Sequence, residues 1–303
     1  MTAHQAPWTE SAVAIDGGRA PLRGTLLRPQ GSSRLSAVLI LAGSGPTDRD
    51  GNQPALRNDS LKLLARDLAG FGIASLRADK RGIGESAAAV MSERDLRFVS
   101  YVDDAVAWVR SLRAQARVRS IFLLGHSEGA LVATLAAQRD RVEGLISIAG
   151  PGFPAGTVLR RQLEASGPGS PLREAAEAAL TNLEKGEEVL NVPKELAVFF
   201  RSTVQPYLIS WLPIDPAAEL AKVMAPVLAI QGTTDIQVSL ADARRLQRAR
   251  SDVEVAILEG VNHILKHAPP DRAPNIATYG NPALPLAPAV VPRIVAFIQQ
   301  HAR

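Results

Sequence analysis

The sequence predicts an α/β protein: a mostly parallel sheet with helices on both faces, an N-terminal β-hairpin, and a helical insertion between two strands. Three observations carry this reading. Strand-like apolar runs alternate with helical stretches from Ala37 to Ile148, the βαβα rhythm of a sheet whose parallel neighbours are joined by helical crossovers. Those runs are apolar on both alternating faces, as strands covered by helices on either side require. After Gly150-Pro151-Gly152 strand patterning stops, and it returns only at Val227. Residues 1–150 and 223–303 therefore form the core, and residues 151–222 form an inserted helical cap.

In chain order, Ser11 to Ile15 alternate apolar and polar side chains, Asp16-Gly17-Gly18 turns the chain, and Leu22 to Leu27 resume the strand before Pro29. That is a hairpin signal. Strand Ala37–Leu41, helix Asp59–Leu68, strand Ile73–Leu76, helix Arg97–Leu112, strand Ile121–Leu124, helix Leu131–Gln138 and strand Gly144–Ile148 follow. Within the insertion, Ser166-Gly167-Pro168-Gly169-Ser170-Pro171 reads as a linker. One helix opens with Pro193, another with Asp215 as N-cap and Pro216 in the first turn, where a missing N–H costs nothing. Strands Val227–Ile230 and Val253–Leu258 complete the sheet, and a last helix covers Val290–Gln300.

Composition narrows the function classes. A chain of 303 residues, 46% hydrophobic and 21% charged, can bury a large core. It has no cysteine, which excludes disulfides and thiolate metal sites and suits a cytoplasmic protein. The opening MTAHQAPWTE lacks the basic start and apolar run of a signal peptide, and no apolar run has membrane-spanning length. The net charge of +4 is spread among acids without a basic block, which argues against a nucleic-acid partner.

The chemistry is concentrated at Ile121-Phe122-Leu123-Leu124-Gly125-His126-Ser127-Glu128-Gly129. An apolar strand runs into G-x-S-x-G and then into a helix, the context in which a serine on a tight turn exposes its Oγ. The following helix aims its first amides at negative charge developing there. A serine needs a base, and on such sheets the acid and then the histidine follow it in the chain. Val227–Ile230 is followed by Gln231-Gly232-Thr233-Thr234-Asp235, and Leu258 by Glu259-Gly260-Val261-Asn262-His263. Both residues lie past the C-terminal ends of strands, where open α/β sheets build their sites. The expected triad is Ser127, Asp235 and His263.

Of the other histidines, His4 and His301 lie in tails, and His126 should point away from the serine into the structure. His267 stands four residues after His263, a metal spacing only on a helix, and no acid cluster supports a metal there. Asp242 and Asp252 read as surface helix and turn residues. Two backbone N–H donors are expected for an oxyanion: Glu128, after the nucleophile, and Ser44, in the loop Ala42-Gly43-Ser44-Gly45-Pro46 after the first parallel strand.

Taken together, AGSGPTDRDGN from Ala42, RADKRGIGES from Arg77, GHSEG from Gly125, QGTTDIQV from Gln231, GVNHILK from Gly260 and YGNPALPL from Tyr279 resemble the α/β-hydrolase superfamily, in particular bacterial short-chain carboxylesterases related to dienelactone-hydrolase-like enzymes. The resemblance implies an ester-cleaving serine hydrolase with a small-molecule substrate, no cofactor and no metal. Thioesterase, lactonase and acyltransferase chemistry could use the same triad, and a non-catalytic ligand-binding protein on the same fold is the contrasting class. The chain lacks the His-Gly-Gly-Gly loop of lipases. Asp48-Arg49-Asp50-Gly51-Asn52 starts like a calcium loop but has Gln53 where that loop turns on glycine. Gly82-Ile83-Gly84-Glu85-Ser86-Ala87 imitates a dinucleotide fingerprint, but Asp79-Lys80-Arg81 separates it from its strand. Asp48 and Asp50 are expected either to pair with Lys80 or Arg81 and hold the oxyanion loop or to sit on an ordinary solvated loop. The cap is expected to roof an acyl pocket, with at least one of Phe199 and Phe200 as its wall and a ring that is not wall packed in the cap's own core.

Overall fold

The structure, a computed structural model, describes residues 8–31, 34–165 and 171–302. His4 and the Ser166–Ser170 part of the expected linker lie outside them. Eight strands form one sheet: β1 (Trp8–Ile15), β2 (Leu22–Pro29), β3 (Leu35–Leu41), β4 (Ala74–Ala78), β5 (Val118–His126), β6 (Gly144–Ile148), β7 (Val227–Gly232) and β8 (Glu254–Leu258). Their spatial order is β1-β2-β4-β3-β5-β6-β7-β8. The expected hairpin β1–β2 pairs antiparallel, and β2 joins β4 antiparallel. Every other pairing is parallel. β1 half-buries Trp8, Ser11, Val13 and Ile15 and exposes Ala12 and Ala14 between them, the alternation of an edge strand with one covered face. β4 and β6 are buried at every position.

Alternate side chains of the central strands feed two cores. Leu39 and Leu123 join Val102, Val109 and Leu131 of α2 (Phe98–Arg113) and α3 (Glu128–Arg139) on one face. Val38, Ile40, Phe122 and Leu124 join Leu64 and Leu68 of α1 (Ser60–Gly70) and Ile294 and Phe297 of α11 (Val290–His301) on the other. α1 illustrates the local logic: Leu61, Leu64, Ala65 and Leu68 fall on one buried stripe, the spacing of a helix packed by one face.

Between β6 and β7 the described residues hold helices and no strand: α4 (Ala155–Ala165), α5 (Pro171–Glu184), α6 (Ala197–Phe200), α7 (Gln205–Trp211) and α8 (Pro216–Leu220). Pro193 precedes a short 3-10 turn, Lys194–Leu196, that leads into α6. Asp215 caps α8 as its position before proline predicts, accepting from the Ala217 and Ala218 amides at 3.0 and 3.3 Å. This block shares the core of α2 and α3: Leu180, Leu183, Phe200, Tyr207 and Leu220 are buried in the same apolar cluster. Trp211 stacks on Phe98 with ring centroids 5.9 Å apart.

Asp242 corrects the sequence reading. It sits in the first turn of α9 (Leu240–Ala249) but is 1% exposed. Its carboxylate accepts from the Gly152 amide at 2.9 Å and the Ser239 hydroxyl at 2.7 Å, because the chain leaving β6 passes directly over the start of α9. The remaining helix is α10 (Arg272–Ala277). Among the described residues no helix is long and apolar enough to cross a membrane.

Candidate active site

Ser127 is the single residue between β5 and α3, at φ 55° and ψ −124°. A side chain makes that backbone costly, by about 1–3 kcal/mol, and such strain gathers at functional sites. The flanking glycines are forced by close approach. A Cβ on Gly125 would fall 2.1 Å from the Gly129 carbonyl oxygen, and one on Gly129 would fall 2.4 Å from that of Leu41. The elbow is held by the Ser127 amide donating to Ile148 O and by Ala130 N donating to Ser127 O, both at 2.9 Å.

Asp235 and His263 meet as the sequence places them. His263 Nδ1 donates to Asp235 Oδ2 at 2.9 Å. The same carboxylate accepts from the Gln237 and Val238 amides at 2.8 and 3.0 Å and from Gln231 Nε2 at 3.1 Å. Burial alone would raise the Asp235 pKa, but the facing imidazole, its hydrogen bond and the two amides prevail and hold it below the usual carboxylate range. With Nδ1 committed to the carboxylate, Nε2 of His263 is the nitrogen free to accept a proton.

The loop carrying His263 is fixed from beneath. Asn262, 1% exposed, donates to Thr278 Oγ1 at 2.8 Å and accepts from Lys266 N at 3.0 Å. His126 does not point away from the site, as expected from its neighbour. Its Nε2 donates to the His263 carbonyl at 2.7 Å, and the two rings lie 4.8 Å apart. Burial and the neighbouring His263 push its pKa down to about 4, so at neutral pH it is an uncharged strut. His267 is exposed and bridges to Val261 in an extended arrangement, not a helix. Among the described residues no cluster of three or more His, Asp or Glu could hold a metal.

Ser127, His126 and His263 open onto a cavity of about 190 Å³, whose wall also includes Ser44, Thr47, Gln53 and Tyr279. The expected cap wall is not there. Among the described residues none of 151–222 lines this cavity; Phe200 is buried inside the helical block, and Phe199 is 52% exposed. The roof is instead the segment after β3, residues 43–60. Gly43 packs directly on Ser127: a Cβ there would stand 3.1 Å from Ser127 Cβ.

The acids of that segment do not pair with Lys80 or Arg81 as expected. Asp48 accepts from the Asp50 and Asn52 amides at 2.9 Å, closing its own turn, Asp50 pairs with the buried Arg77, and Arg81 pairs with Asp104. Lys80 takes a different role, donating to the carbonyls of Gly43 at 2.5 Å and Gly45 at 2.7 Å. Glu128 Oε1 lies 4.0 Å from the same ammonium. The RADKRGIGES motif contained this lysine, but only the folded geometry shows that it reaches across to the loop after β3.

Comparison with known proteins places this geometry. The family model described as serine aminopeptidase, S33 (Hydrolase_4) matches residues 59–170, taking in the elbow but ending before Asp235 and His263. Esterase EstD of Thermotoga maritima is 28% identical over 264 residues, covering 84% of this chain; the chain spans 60% of that relative's length. Among solved structures, Est1E of Butyrivibrio proteoclasticus with bound ferulic acid superposes with a TM-score of 0.64 at 18% identity, over 95% of this chain and 98% of Est1E. GrgF of Penicillium sp. sh18, described as an α/β-hydrolase, gives 0.61 at 20% identity, over 97% and 99%. The Pyrococcus furiosus esterase Pf2001 gives 0.60 at 16% identity, over 98% and 92%. A sheet of this order, entered by an antiparallel hairpin and turned at a strained serine after its fifth strand, has the α/β-hydrolase fold.

Proposed function

We propose that the chain is a serine carboxylesterase acting on esters of short acyl chains. The observation that carries this reading is the His263–Asp235 hydrogen bond of 2.9 Å at a cavity shared by His263 and the elbow serine. His263 Nε2 takes the Ser127 proton as Oγ attacks the ester carbonyl, and Asp235 holds the ring and stabilises the imidazolium. The Ser44 and Glu128 amides receive the oxyanion. The imidazolium then protonates the departing alcohol, leaving an acyl-serine. Water, deprotonated by His263, attacks that acyl group; collapse of the second tetrahedral adduct releases the acid and returns the proton to Ser127.

The named relatives that act on esters support the choice of substrate, and the small cavity favours short acyl groups over long ones. A cysteine-free chain handling small substrates is proposed to work in the cytoplasm. Fluorophosphonate labelling followed by mass mapping tests the reading: the adduct should fall on Ser127, and the labelled protein should lose esterase activity. An active protein that labels elsewhere, or not at all, overturns it. A panel of p-nitrophenyl esters, thioesters, lactones and aminoacyl amides then fixes the acyl donor.

A further inference from the structure

Lys80 has no part in the acyl chemistry described above, but the loop it grips carries Ser44, one of the two proposed oxyanion donors. The lysine lines a small void on the reverse side of the oxyanion loop, together with Ala42, Tyr101, Asp104 and Trp108. It is absent from the wall of the Ser127 cavity, which the loop faces with Gly43 and Ser44. A side chain on that reverse side cannot touch substrate. It can still decide which way the loop's peptides face.

The backbone geometry says how. Lys80 Nζ captures two carbonyls, those of Gly43 and Gly45, one on either side of Ser44. In a trans peptide the C=O of one residue and the N–H of the next point in opposite directions, and no described peptide is cis. Drawing the Gly43 carbonyl back toward the ammonium therefore turns the Ser44 N–H forward, to the side where Gly43 abuts Ser127. Gly45, at φ 69°, lets the chain reverse so that its own carbonyl returns to the same nitrogen. Glu128, 4.0 Å from Nζ, supplies the counter-charge from α3, whose first amide is the second oxyanion donor.

We propose that Lys80 is a positioning residue for the oxyanion hole, fixing the Ser44 N–H by holding the carbonyls on both sides of it and tying that loop to the elbow through Glu128. The inference rests on the esterase reading above. A free loop peptide can rotate, and a pre-aimed donor is what gives such a hole its effect, because nothing need reorient as charge develops. Tyr101 packs beneath the ammonium, 5.6 Å from ring centroid to Nζ, which adds an apolar seat favourable to a cation.

The test compares wild type with Lys80→Met on a short p-nitrophenyl ester, with thermal unfolding followed in parallel. Lys80→Met should lower kcat by about 10²-fold, the scale of losing or misplacing one oxyanion donor, with KM changed by less than about threefold. Affinity for a trifluoromethyl ketone, which adds Ser127 and fills the oxyanion hole with a true oxyanion, should fall by a similar factor. Affinity for the carboxylate product should hold. A merely structural lysine would lower the melting temperature without separating those two affinities. Should Lys80→Met fail to fold, Lys80→Gln, which keeps a polar head but falls short of the carbonyls, carries the same readouts. A wild type that neither turns over esters nor labels at Ser127 overturns both the esterase reading and this one. A labelled, active wild type whose Lys80 variants keep its kcat and ketone affinity overturns the Lys80 inference alone.

Discussion

At the scale of single residues, the placement of Ser127, Asp235 and His263 around one cavity was legible because each follows the C-terminal end of an apolar strand run, a signal that survives in one dimension. Ser127→Ala should retain the fold and lower kcat on the order of 10⁶-fold, read by steady-state kinetics beside circular dichroism. Asp235→Asn should cost about 10⁴-fold, because the amide holds the wrong imidazole tautomer; a loss under tenfold would assign the orienting role to another group. His126 and Asp242 were misread for one shared reason: a sequence gives a residue's neighbours along the chain, not the backbone that crosses it. The depressed pKa of His126 has a thermodynamic sign. Its unfolded value is about 6.5, so between there and about 4 the unfolded chain binds the extra proton, and stability falls as pH falls through that window. The loss is on the order of 3 kcal/mol. His126→Gln, which keeps an N–H for the His263 carbonyl, should flatten the melting temperature between pH 6.5 and 4, and an unchanged slope would refute the assignment.

Among elements, the sheet and its crossover helices follow from periodicity, and their ends move by only a few residues from the sequence reading. β5 extends from the expected Ile121–Leu124 to Val118–His126, because Val118 and the Gly125-His126 pair still find partners on β3 and β6. The helical block was legible as helices but not as a direction of packing, since its aromatic residues suit a pocket wall and an interior equally well. Its true neighbours are α2 and α3. Phe200, 2% exposed, should therefore cost about 3–5 kcal/mol as Phe200→Ala, while Phe199→Ala should stay within about 0.5 kcal/mol. Neither substitution should alter the acyl-chain profile. Denaturant melts and kcat/KM across four ester lengths check both statements, and a lengthened optimum in either variant would return the ring to the pocket wall.

On the scale of the whole molecule, the site is closed by residues 43–60 and by the loops after β7 and β8, around a cavity of about 190 Å³. Each buried methylene gains about 0.8 kcal/mol until the wall is met, so kcat/KM should peak between acetyl and about hexanoyl esters and fall steeply toward palmitate; a wild type that prefers palmitate would contradict the cavity. The described residues of the helical insertion lie outside that wall, and their buried side chains join the hydrophobic core of α2 and α3, which separates two properties that a lid usually joins. Changes in the insertion are answerable to packing, whereas changes at cavity-lining positions of residues 43–60 that hold no ion pair, such as Gln53 and Leu56, are answerable mainly to what the cavity holds. On the proposed function, a lineage under selection for a new ester can thus vary its specificity at those positions without disturbing the packing of the insertion. The same separation tells a laboratory where to randomise, and that residues 151–222 are the ones to leave alone.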